Sequence, residues 1–77
     1  MPINLDYILV FKTSLQNERD LLDISPVLNT HHWIEQWNVD LQDRDRILRI
    51  VVNQPIRPQQ IIGLVSACGF ECTELIS

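Results

Sequence analysis

Apolar residues in this chain shift between the continuous or two-residue pattern of a strand and the three-and-four spacing of a helix, in a definite order. Tyr7-Ile8-Leu9-Val10-Phe11 is a short apolar run without alternation, as expected of a strand covered on both faces or central in its sheet. Leu21, Ile24, Ser25 and Leu28 follow helical spacing and would turn a mostly apolar face toward a sheet. Trp33, Trp37, Val39 and Leu41 share one parity and Gln36, Asn38 and Asp40 the other, which predicts a strand with one buried and one wet face. Gln42-Asp43-Arg44-Asp45 reads as a turn, and residues 46–52 as the returning strand, with Leu48, Ile50 and Val52 facing the core. Ile61, Leu64, Val65 and Cys68 form a second helical stripe. Residues 70–76 close the chain as a short strand, placed at a sheet edge by Glu71 and Glu74. The order is strand, helix, strand, strand, helix, strand. Two right-handed crossovers then put both helices on one face of a four-stranded antiparallel sheet, the α+β, ferredoxin-like βαββαβ sandwich.

Local chemistry sets the element ends. Asn17 can cap the free amides of the first helix, and Glu18 and Asp20 place negative charge at its positive end. Pro26 falls deep in that helix, where it removes a hydrogen bond and forces a kink, so one bent helix is expected, the alternative being a second short helix capped by Ser25 with Pro26 in its first position. Pro58 suits the first position of the second helix. Gly63 inside it costs about 1 kcal/mol against alanine, which predicts close backbone approach to a neighbour. Gly69 ends the helix as a left-handed cap.

Seventy-seven residues make a single domain, 1–77, and a domain this small has a thin stability margin. Ten acidic residues face five arginines and one lysine, Lys12, for a net charge of −4. The basic residues are spread along the chain, which argues against a nucleic-acid or anionic-membrane partner. The start Met1-Pro2-Ile3-Asn4-Leu5-Asp6 lacks the basic and apolar regions of a signal peptide, and no run approaches the roughly 18 apolar residues that span a bilayer. Two cysteines, Cys68 and Cys72, are too few for a disulfide framework, so reduced thiols and a cytoplasmic location are expected.

The Trp37-Asn38-Val39-Asp40 strand, the Ile47-Leu48-Arg49-Ile50 return, the Ala67-Cys68-Gly69-Phe70 helix end and the element lengths resemble the heavy-metal-associated (HMA) domain, from about Tyr7 to Leu75. Bacterial members of that family are small copper carriers and soluble modules of copper-exporting ATPases. The family's metal motif is Met-x-Cys-x-x-Cys at the end of the first strand. By this resemblance Leu15 stands at the methionine position, and Asn17 and Asp20 stand at the two cysteines. Cu(I) prefers soft thiolates, which an amide and a carboxylate do not replace. The resemblance therefore implies a degenerate member without a metal cofactor.

Other candidates carry weaker signals. His31-His32 could chelate a metal from a loop, but no matching ligand set is near in sequence, so solvated loop histidines are expected. Cys68 and Cys72 fit small buried hydrophobes, and residual metal binding through these thiols or histidines is the alternative. Trp33 and Trp37 are expected in the core or at its edge, and Asp43-Arg44-Asp45-Arg46 as a solvated hairpin of little energetic weight. An acylphosphatase-like hydrolase would share the architecture, but Arg19 lies between Glu18 and Asp20, which repel a phosphate. The expected function is a non-enzymatic interaction module with a protein partner or a weak homodimer, the alternative being a copper-binding or transport accessory with non-standard ligands.

Overall fold

The computed structural model describes residues 7–75. The elements run β1 (Ile8–Thr13), α1 (Glu18–Thr30), β2 (Ile34–Asp40), β3 (Ile47–Val52), α2 (Pro58–Ala67) and β4 (Cys72–Glu74). The strands form one antiparallel sheet in the order β2-β3-β1-β4, the ferredoxin-like arrangement. Pairing sets Leu9 against Ile50 and Phe11 against Leu48, so one parity of each strand shares a face. On that face Phe11, Leu48, Ile50, Val52 and Cys72 meet Ile24 and Leu28 of α1 and Ile61 and Val65 of α2. The other face carries Lys12, Gln36, Asn38 and Arg49, all exposed, and takes no helix among the described residues.

Helix α1 is continuous through Pro26. The proline lacks the N–H that would reach the Leu22 carbonyl, but both residues are exposed, so that carbonyl is not shut away from solvent in a packed core. Ser25 Oγ donates to Leu21 O at 2.7 Å, and Thr30 Oγ1 donates to Pro26 O at 2.6 Å. Helix α2 begins with Pro58, and Gln60 Oε1 accepts from Arg57 N at 3.0 Å. It ends in a Schellman motif, with Gly69 N donating to Ser66 O and Phe70 N to Val65 O. Gly69 has φ +96°, as the expected left-handed cap requires.

Three expectations are corrected. Gly63 is exposed and a Cβ there would meet no atom within 4 Å, so no close backbone approach explains it. Gly63→Ala is therefore expected to raise unfolding free energy by about 1 kcal/mol, through helix propensity alone, as read by urea denaturation. A loss of stability there would contradict the open environment.

Trp33 does not join the core. The register slips between Ile34 and Gln36, where Ile34 pairs with Val52 and Gln36 with Val51. This bulge at Glu35 reverses the parity, so Ile34 joins Trp37 and Val39 against the core while Trp33 turns to His31, ring centroids 4.4 Å apart. The β2–β3 turn is also more than a solvated loop. Arg46, at φ +49°, donates its guanidinium to Leu41 O, and its carbonyl accepts from buried Thr13.

Element ends shift slightly from the sequence reading. β1 runs on through Thr13, β2 starts at Ile34 and β3 at Ile47. β4 lies at an edge as expected, but spans three residues, and Ile76 falls outside the described residues. The expectation on residues 1–6 also lies outside them.

Candidate functional site

The loop between β1 and α1 is held from three sides. Thr13, buried at the end of β1, donates Oγ1 to Arg46 O at 2.7 Å and accepts from Leu15 N at 3.3 Å. Its own N–H reaches Asp45 O at 3.1 Å. Ser14 exchanges bonds with Glu71, its N–H donating to Glu71 O at 3.1 Å and its Oγ accepting from Glu71 N at 2.8 Å. Leu15 is fully buried among the core residues and anchors the loop from below.

Beyond Leu15 the chain turns into α1 at Asn17, which is extended (φ −156°, ψ 177°) as an N-cap should be. Asn17 Oδ1 accepts from Asp20 N at 3.0 Å. Asp20 reaches back, its Oδ2 accepting from Gln16 N at 2.9 Å. The two side chains thus form a reciprocal cap one residue wider than the usual capping box. Each uses an oxygen to accept from a backbone amide at or just before the first turn, the Asp20 amide also reaching Asn17 O at 3.1 Å. Both donors toward any ion would be hard oxygens, a poor match for a soft monovalent metal.

The other candidate ligands do not gather here. His31 and His32 lie past the far end of α1, whose 13 residues span about 20 Å. They are not simply solvated: His31 is half-buried, its ring stacks on His32 at 5.7 Å, and its Nδ1 is buried without a hydrogen-bond partner. Cys68 is the half-buried C-cap of α2. Cys72 does come near the loop, in register with Thr13. Burial pushes its thiol up to about 11, so at neutral pH it is protonated and a poor ligand. Among the described residues, no group of three or more His, Cys, Asp or Glu side chains could hold a metal ion. Arg19 is exposed on the first turn of α1, between two acids.

Sequence reasoning found the cap but not its supports. Thr13 meets Arg46 across 33 residues and Ser14 meets Glu71 across 57, separations that leave no local signal.

The backbone matches domains that handle copper. The copper(I)-loaded first domain of the human copper chaperone for SOD1, CCS, has a TM-score of 0.73 at 13% identity, over 87% of this chain and 89% of that one. The yeast copper transporter domain Ccc2a, solved in apo and Cu(I)-loaded states, has a TM-score of 0.75 at 13% identity, over 90% and 94%. The Atx1-Cu(I)-Ccc2a complex gives 0.76 at 13%, over 90% and 94%. The fold is that of the HMA domains. At this level of identity the likeness establishes the HMA fold alone. No protein-family model and no curated protein sequence matches the chain. Among the described residues, no helix is long and apolar enough to cross a membrane.

Proposed function

We propose that this chain is a non-enzymatic, cytoplasmic protein-interaction module that keeps the HMA fold and has lost the soft-metal site of its first loop. The observation that carries the reading is the reciprocal cap, in which Asn17 and Asp20 give their oxygens to the loop's own amides. The oxygens present match hard cations rather than Cu(I). The protein–protein complex among the structural neighbours supports partnering as a use of this fold. Copper handling through other ligands is the second reading, supported by the copper chaperone and transporter domains that share the fold.

Competition for Cu(I) against a chromophoric chelator, with reduced and tag-free protein, separates the two. The expected result is no withdrawal of copper from the chelator. Stoichiometric withdrawal that disappears in Cys68→Ala or His31→Ala would establish the second reading instead.

A further inference from the structure

The hydrogen-bond phase of the sheet determines which backbone groups of β2 are left open. Leu75 N donates to Val10 O and Ser14 N to Glu71 O, so even-numbered residues at the end of β1 bond toward β4. Odd-numbered residues of β1 then bond toward β3, through Leu9 with Ile50 and Phe11 with Leu48. Alternation on β3 turns Ile47, Arg49 and Val51 toward β2, where their partners are Asp40, Asn38 and Gln36. Asn53 N donates to Trp33 O at 2.9 Å, in phase with this assignment beyond the bulge. The N–H and C=O groups of Trp37 and Val39 therefore point off the sheet, because among the described residues β2 is an outer strand.

The straight part of this edge lacks the usual protection against pairing. β4, at the opposite edge, is only three residues long. β2 has seven, and its straight part from Gln36 to Val39 contains no proline, no lysine and no charge. The bulge and Glu35 lie before that part, and Asp40 closes it.

We propose that the free edge of β2 joins a second copy of this chain, in an antiparallel pair about a twofold axis at Asn38, extending the two sheets into one. The five residues Gln36–Asp40 match themselves in this register. Trp37 and Val39 of each copy form hydrogen-bonded pairs with Val39 and Trp37 of the other, so all four outward backbone groups of each strand find partners. Trp37 and Val39 lie on the helix-covered face, where they make aromatic-to-β-branched cross-strand contacts. On the open face Asn38 meets Asn38 at the axis, and Gln36 meets Asp40, an amide donor opposite a carboxylate. No two like charges stand directly opposite. A register centred on Trp37 would instead pair Val39 with Glu35, at the bulge, where the ladder is already irregular. The interface deepens the reading of the chain as an interaction module by naming a surface and a partner.

Sedimentation equilibrium from low to several hundred micromolar reads this directly. The expected result is a mass rising with concentration toward twice the 9.0 kDa of the chain. Added salt should strengthen the association, since each copy carries −4. Val39→Pro removes an N–H that the fold itself does not use, at an edge position where proline is tolerated. Each dimer then loses two hydrogen bonds, which should weaken association roughly tenfold to a hundredfold while far-ultraviolet circular dichroism stays unchanged. Asn38→Lys, on the exposed face, sets two like charges together at the axis and should also weaken the dimer; it decides the matter alone if the proline variant does not fold. Wild-type protein that remains at 9.0 kDa throughout overturns the proposal, as does a dimer that both folded variants leave intact. A monomeric result leaves the metal-free reading of the first loop to its own copper competition, so the two fail separately.

Discussion

Asn17→Cys combined with Asp20→Cys is expected to give a folded domain whose melting temperature rises sharply with one equivalent of Cu(I). The two positions are the N-cap and the third residue of α1, already joined by a 3.0 Å bond from Asp20 N to Asn17 Oδ1. Thiols placed there sit within one turn of each other beside a loop anchored by Leu15, Thr13 and Ser14. The positive end of the helix favours their thiolate forms, which Cu(I) prefers. Loss of the cap should cost the metal-free variant about 1 kcal/mol. Copper held at a thousand times its dissociation constant should return about 4 kcal/mol. Thermal melts with and without Cu(I), on Cys68→Ala and Cys72→Ala backgrounds, provide the reading. A double variant that folds but gains no copper-dependent stability would sink the assignment of these positions to the family's ligand pair.

Leu15→Ala should have the largest purely structural effect of any change in the loop. Leu15 is a loop residue by backbone but a core residue by burial, with no exposed surface. Truncating such a side chain typically costs 2–5 kcal/mol, from lost transfer energy and the cavity left behind. That is a large part of the total margin of a small domain, about 5 kcal/mol or a little more. The variant is expected to be substantially unfolded at 37 °C, while Leu15→Met should lose less than about 1.5 kcal/mol because its volume is similar. Urea denaturation of the three proteins tests the pair. Near wild-type stability for Leu15→Ala would mean that the loop is not held by this side chain.

The element order was legible because the core stripes are long and periodic. Ile24 and Leu28, Ile61 and Val65, and Leu48, Ile50 and Val52 all occupy the faces their spacing assigns. Gly69 and Asn17 were legible for another reason: each solves a problem at a helix end that only a few residue types can solve. Trp33 was misplaced because parity counting assumes an unbroken ladder, and the bulge at Glu35 depends on β3. Gly63 was over-interpreted: its environment is open, and nothing packed against it accounts for its presence.

The candidate site divides the same way. Asp20 three residues after Asn17 marks a helix cap whatever the rest of the molecule does, since the bonding is confined to one turn. Sequence therefore determined the element types, the caps of the two helices and the hard-oxygen chemistry of the first loop, all of which depend on neighbours within about one helical turn or strand period. Only the tertiary structure decided that Ser14 bonds to Glu71 and Thr13 to Arg46 and that Cys72 is buried near the loop. It also decided that His31 packs against Trp33 and that the amides of Trp37 and Val39 face outward. Those facts follow from strand order and register, which are set by the burial of one shared sheet face under two helices and leave no trace within any short stretch of chain.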